Sequence, residues 1–259
     1  MSRSSAHHAP FLILQTGTPV AAQRRHGSFA HWIRVAAGLD RDHAAVVDVA
    51  AGDALPRRAG YAGVLVTGSP AMVTERHLWS ERSAEWLREA VQAGLPVFGI
   101  CYGHQLLAHA LGGEVGENPA GREMGTVELR LTDAAAADPL FSALPARFPA
   151  QATHLQTVLQ PPPQAAVLAH SDLDACQAFR HGTAAWGVQF HPEFSVDRMR
   201  GYVQARAQAL REAGHCPRSR WRSIGAAPQA RQVLRRFVRH ARGVSSSIPL
   251  TSSRHGSSQ

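Results

Sequence analysis

One cysteine in this chain has the surroundings a nucleophile needs. Cys101 stands in the middle of Gly99-Ile100-Cys101-Tyr102-Gly103, after the apolar run 96–100 and before a helical stretch, 105–111, that stops at Gly112-Gly113. A strand running directly into a helix places the residue at the turn under the helix N-terminus, where free N–H groups and the positive dipole end favour a thiolate. Glycines two residues to either side let neighbouring backbone come close, the spacing of a nucleophile elbow with cysteine in the place of serine. The N–H of Tyr102 is then set to meet an oxyanion. A second stretch, 185–194, is a buried strand ending in His191-Pro192-Glu193. His191 at that strand end is a candidate general base and acid, and Glu193 a candidate acceptor of its N–H that fixes the tautomer. Each motif alone has a plainer alternative, a buried core cysteine or a structural histidine. Their combination points to nucleophilic catalysis.

A parallel sheet would bring both groups to one edge. Apolar strand-length segments at 11–14, 45–49, 63–66 and 96–100 alternate with helical patterns at 28–37, 81–93 and 105–111. That order predicts an α/β fold with a doubly wound, mostly parallel sheet and helices on both faces. Shorter strands at 126–131, 166–169, 176–180 and 185–190, with little but turns between them, predict a small antiparallel extension. A closing helix is expected over 196–213. Residues 11–214 are thus expected to form the domain and 1–10 a disordered N-terminus. Residues 215–259 read as an Arg-rich tail with one helix at 229–242 and a disordered Ser-rich end. The tail is expected to be dispensable for chemistry, and the apolar side of its helix has three candidate covers: the core, a second copy of the chain, or an acidic partner.

Composition removes several function classes. With 259 residues, 44% hydrophobic and 18% charged, the chain can bury a substantial core and is not broadly disordered. Every basic residue is arginine, so Schiff-base, Walker-lysine and lysine-base chemistry is excluded. The net charge of +8 is unevenly placed: 1–214 carries −1, whereas 215–259 holds 9 Arg and no acid. A near-neutral domain argues against nucleic acid as its partner, and the tail's charge alone supports none. Three cysteines make no disulfide framework. No apolar run reaches the ~18 residues of a membrane span, and the N-terminus lacks the apolar region of a signal peptide. A reducing cytoplasm is therefore expected, with no membrane. Cys176 reads as a packed thiol and Cys216 as incidental. His104 and His109, five apart and without C-x-x-C or H-E-x-x-H, give no metal site. No dinucleotide or P-loop glycine motif is present.

The elbow PVFGICYGHQLLAHALGG together with WGVQFHPEF resembles the class I, triad-type glutamine amidotransferases, most strongly the stand-alone GMP synthase-like ones, over about residues 11–200. The resemblance implies a flavodoxin-like sheet, and Cys101, His191 and Glu193 as the triad. It implies an oxyanion hole from Tyr102 and the Gly68-Ser69 loop that follows the third strand, with Ser69 standing where many relatives have a second glycine. Gln105 would contact the substrate, though it could equally pack the helix. His154, Leu155 and Gln156 would lie in a segment binding its α-amino and α-carboxylate groups, with a surface-loop role for His154 the alternative. Arg122-Glu123-Met124-Gly125 resembles a loop that shapes the pocket. The implied reaction is hydrolysis of the glutamine side-chain amide through a cysteinyl thioester, without cofactor. The chain carries no Ser-Gly-Gly-x-Asp-Ser nucleotide loop, so the partner implied is a separate ammonia-accepting synthase subunit. Two alternatives remain at this level: a γ-glutamyl hydrolase acting on γ-glutamyl amines or peptides, and a non-catalytic module on the same fold.

Overall fold

The structure is a computed structural model, and residues 9–246 are described. In chain order the first half comprises β1 (Phe11–Gln15), α1 (Phe29–Ala37), β2 (Ala44–Asp48), β3 (Gly63–Val66), α2 (Leu78–Gln92), β4 (Val97–Ile100) and α3 (Tyr102–Ala110). The second half comprises β5 (Glu114–Glu117), β6 (Glu123–Leu131), β7 (Arg147–His154), β8 (Gln156–Gln160), β9 (Ala166–His170), β10 (Ala178–His181) and β11 (Ala185–Val188). The helices α4 (Val196–Ala205), α5 (Ala207–Glu212), α6 (Pro217–Arg222) and α7 (Pro228–Ser246) follow.

One sheet runs in the order β2-β1-β3-β4-β11-β10-β9-β6-β7. The first five strands pair in parallel, and β11 to β7 continue antiparallel. The predicted α/β architecture holds, but β11, expected in the antiparallel extension, pairs in parallel with β4; β10, β9, β6 and β7 form the antiparallel part, and β5 and β8 a separate ribbon. Strand side chains alternate between two cores. Phe11, Ile13, Leu65 and Phe98 face α1 and α7, while Leu12, Leu14, Val64 and Val97 face α2 and α3. Each helix is fixed locally. The Ser28 hydroxyl accepts the His31 N–H to open α1, and Gly38, at φ 72°, ends it.

Several elements differ from the sequence expectation. Strands β5, β7 and β8 were not anticipated. The expected helix over 196–213 breaks at Arg206, leaving α4 and α5. Beyond residue 214 there are two helices where one was expected, and α7 continues through 243–246, part of the stretch expected to be disordered. Nor is this stretch a solvated appendage. Val233, Leu234, Phe237 and Ala241 are fully buried and join the cluster that contains Phe11, Phe98 and Trp186. The apolar stripe at helical spacing lies on the core, so the packing continues across the boundary expected at 214. Residues 1–8 and 247–259, part of the expected disordered ends, lie outside the described residues. Ala9 packs against the core.

Candidate active site

The C-terminal ends of β3, β4 and β11 meet where the sheet changes from parallel to antiparallel. Cys101 follows β4 directly and caps α3 with φ 52° and ψ −104°, a left-handed conformation rare for a residue with a side chain. The flanking glycines are required there. A Cβ on Gly99 would lie 2.2 Å from the Gly103 carbonyl oxygen, and one on Gly103 2.6 Å from that of Val66. Strand, elbow and helix can pack this closely only without those side chains. Holding Cys101 in this geometry costs about 1–3 kcal/mol, and the result aims the thiol out of the sheet.

His191 follows β11 and is equally fixed. Its N–H donates to the Gln151 carbonyl at 2.8 Å, its ring stacks on Phe194 at 4.1 Å between centroids, and its Nδ1 lies 2.8 Å from Glu193 Oε1. Glu193 is fully buried, and its backbone carbonyl accepts from Arg198 Nη1 at 2.8 Å. The other ring nitrogen, Nε2, is buried without a fully formed hydrogen bond and has the Cys101 thiol as its electrostatic partner. Gly68 lies against both groups: a Cβ there would come 3.2 Å from His191 Cε1 and 3.7 Å from Cys101 Cβ.

The electrostatics favour a thiolate–imidazolium pair. Burial raises the Cys101 thiol, but His191 outweighs it, aided by His154 and Arg206, and the thiol falls below its ordinary value. Burial likewise pulls His191 down, whereas Glu193 and Cys101 push it up to about 10. Cys176 is raised by burial and then by Asp174, the behaviour of a packed thiol. All three cysteines are free.

Three backbone N–H groups at the elbow and the loop after β3, those of Tyr102, Gly68 and Ser69, are left unpaired among the described residues. The Tyr102 phenol points away to Ser80 Oγ at 2.6 Å, so the elbow contributes only its backbone at this position. Thr16 and Thr67 hydroxyls bind the Gly68 carbonyl at 3.1 and 2.9 Å, which pins the loop.

A cavity of about 250 Å³ opens beside Cys101, lined in part by Gln105, His154, Leu155 and Gln156. Gln105 Nε2 donates to the Gln156 carbonyl at 2.7 Å and to Gln189 Oε1 at 2.9 Å, so it also braces the wall. His154 is a buried ring within that wall, 4% exposed, which excludes the surface-loop alternative. Its Nδ1 meets the Gln156 carbonyl at 3.0 Å and its Nε2 meets Glu123 Oε2 at 2.9 Å. Glu123, His154 and Asp174 bring potential metal-ligating atoms within 4.8 Å of one another, a juxtaposition that histidine spacing in the sequence did not signal. The His154 nitrogens are already engaged by these protein acceptors. His104 lies apart on α3, buried and pushed down to about 3 by that burial. A larger hollow of about 830 Å³, between 55–62 and 93–96, contains no nucleophile–base pair.

The chain belongs to the class I glutamine amidotransferases, whose family model matches residues 26–206. Among similar proteins is the GMP synthase [glutamine-hydrolyzing] of Aeropyrum pernix, 42% identical over 144 residues, which are 56% of this chain and 26% of that protein. Another is a subunit of the GMP synthase [glutamine-hydrolyzing] of Methanocaldococcus jannaschii, 37% identical over 132 residues, 51% of this chain and 64% of that protein. The chain therefore spans less than two thirds of the curated relatives it matches. A crystal structure of a glutamine amidotransferase from Thermotoga maritima shares the fold, with a TM-score of 0.71 at 21% identity over 91% of this chain and 99% of that one. No helix among the described residues is long and apolar enough to cross a membrane.

Proposed function

We propose that this chain hydrolyses the side-chain amide of L-glutamine, with Cys101 as nucleophile, His191 as general base and acid, and Glu193 as its orienter. The observation that carries the proposal is the buried His191–Glu193 dyad facing a thiol held in left-handed backbone at a strand-to-helix turn. The Cys101 thiolate attacks the amide carbon. The negative oxygen is met by the N–H groups of Tyr102 and the Gly68-Ser69 loop. The C–N bond breaks as His191 gives its proton to the departing ammonia. Water, deprotonated by His191, then attacks the γ-glutamyl thioester and releases glutamate, returning the thiol. Glutamine and water thus give glutamate and ammonia, with no redox step and no cofactor.

Gln105, Leu155 and Gln156 are proposed to hold the glutamyl part, with His154 behind them. The ammonia acceptor is a separate synthase subunit. This reading is supported by the similarity to a protein that is itself named as one subunit of a GMP synthase. Three free cysteines, one of them the nucleophile, suit a reducing compartment such as the cytoplasm. A second reading, hydrolysis of γ-glutamyl amines or peptides, draws on a cavity of about 110 Å³ that includes His191 and could receive an amine larger than ammonia. Ammonia and amine release from glutamine and a panel of γ-glutamyl amides, with Cys101→Ala as control, tests both. Release from none of them would overturn the proposal.

A further inference from the structure

The cavity beside Cys101 is lined by two arginines and His154, and by no aspartate or glutamate. Arg122 comes from the residue before β6, Arg206 from the break between α4 and α5. Of the other arginines, some meet carboxylates, as in Arg58–Glu89, Arg130–Asp172 and Arg180–Asp138, and some donate to backbone carbonyls, as Arg34 and Arg198 do. Among the described residues Arg122 makes no hydrogen bond or ion pair, and Arg206 spends one N–H on Thr153 Oγ1 at 2.9 Å without any carboxylate partner. Both are half-buried. They also disfavour each other: burial first, and then Arg206, hold the Arg122 guanidinium below its ordinary value. A partly desolvated pair of like charges with no carboxylate partner, only one of which interacts with the Cys101 thiol, is stabilised by an anion that arrives from outside.

The position of the pair tells which part of a substrate carries that anion. The departing amine must reach His191, which lines the smaller cavity of about 110 Å³. Arg122 and Gln105 line only the larger one. The acyl part that stays on Cys101 therefore occupies the larger cavity, and the negative group of a γ-glutamyl acyl part is its α-carboxylate. We propose that Arg122 and Arg206 bind the α-carboxylate of the substrate and make the site selective for amides bearing a carboxylate on the acyl side. The proposal deepens the amide-hydrolase reading and rests on it. Planar guanidinium forks suit a carboxylate better than a point charge would. The α-ammonium is turned away from the two cations. Gln156 Oε1, buried and without a partner, is the acceptor open to it.

The test compares L-glutamine with 4-aminobutanamide, which lacks the α-carboxylate, in wild type, Arg122→Gln, Arg206→Gln and Arg206→Lys. For Arg122→Gln the expected result is a KM for glutamine raised roughly tenfold to a hundredfold, the strength of a charge-assisted contact. Turnover at saturation should stay within about threefold, 4-aminobutanamide should be unaffected, and Arg206→Lys should partly rescue what Arg206→Gln loses. An equal loss on both amides, or an unchanged KM, would overturn the proposal. Calorimetric binding of L-glutamine to Cys101→Ala, with and without Arg122→Gln, separates this from the chemistry. Tight binding that weakens at least tenfold with Arg122→Gln supports the arginine pair even if wild type releases no ammonia, in which case the hydrolysis reading alone falls. No binding, or equal binding by both, removes the pair.

Discussion

Glu123 Oε2 stands 2.9 Å from His154 Nε2, while Nδ1 of the same ring meets the Gln156 carbonyl at 3.0 Å. A carboxylate and a carbonyl both accept, so these contacts favour the imidazole form that donates from both nitrogens, the charged one. Burial pulls His154 down, but Glu123 and Asp174 outweigh it and the ring lies above its ordinary value. The Gln156 carbonyl held by this ring also receives Gln105 Nε2, so the ion pair braces the cavity wall.

A group whose value is raised on folding contributes stability that is complete below its unfolded value, about 6.5 for histidine, and lost as pH rises through the folded one. Wild-type stability should therefore decline above about pH 6.5, and Glu123→Gln should flatten that decline, since His154 then titrates nearer its ordinary value. The KM for glutamine should rise severalfold as the wall loosens. Thermal unfolding across pH, together with steady-state kinetics, measures both. Unchanged slope and KM would show that the pair is passive packing.

Cys101→Ala should leave the fold intact and lower ammonia release by about a thousandfold or more, the usual result of deleting a nucleophile. Alkylation offers a check independent of turnover. Iodoacetamide at neutral pH should modify Cys101 well before Cys176, because the first thiol is lowered by His191 and the second raised by burial. Peptide mapping after brief exposure reads the order, and modification of Cys176 first would contradict the assignment.

Glu193→Gln keeps the shape of the His191 contact but removes its charge. Burial already works against the imidazolium, so without Glu193 the value near 10 must fall and the thiolate loses its counter-ion. Turnover should drop by about a hundredfold or more, and the pH dependence of Cys101 alkylation should move upward toward that of an ordinary thiol. Rates of labelling across pH in the two proteins decide it. Coincident profiles would remove Glu193 from the proposed triad.

The elbow and the dyad were legible because each is contiguous: Gly99 to Gly103 and His191 to Glu193 carry their geometry in a few residues. Strands β1, β3 and β4 were equally plain, since they are short apolar runs buried on both faces. Strand β7 was missed because its alternation, Phe148, Ala150 and Ala152 between Arg147, Pro149, Gln151 and Thr153, rests on small alanines and contains a proline, and its pairing with β6 supplies the rest. The companions of His154 were illegible for another reason. Glu123 opens β6 and Asp174 lies between β9 and β10, 31 residues before and 20 after it, and only the closed sheet joins them. Arg206 reads as one more helix-surface arginine until the break between α4 and α5 turns it toward Thr153. Helix α7 was legible at 229–242 with its apolar side, Val233, Leu234, Phe237 and Val238, but its cover was not: its arginines dominate the composition, and only the structure lays the stripe on the core.

That stripe leads to the last prediction. Phe237 is fully buried, with its ring 6.3 Å from Phe11, 5.1 Å from Phe98 and 6.1 Å from Trp186, centroid to centroid. Those three belong to β1, β4 and β11, the central parallel strands, two of which lead to Cys101 and His191. The helix is also tied by its arginines, Arg235 Nε to the Ala36 carbonyl at 3.1 Å and Arg236 Nη1 to the Leu140 carbonyl at 3.3 Å. Phe237→Ala should cost about 3–5 kcal/mol, the range for removing a buried aromatic ring, a large share of a domain's typical net stability of about 5–15 kcal/mol. Ending the chain after Gly214 removes every α7 side chain from this core and bares the α1–β1–β4 face, so the shortened chain should aggregate or unfold rather than persist as a smaller enzyme. Arg239→Gln, on an exposed position of the same helix, should shift stability by less than about 0.5 kcal/mol. Denaturant unfolding of the two point variants, with sedimentation of the shortened chain, tests the argument. A well-folded and active chain ending at Gly214 would show that α7 covers a core able to close without it.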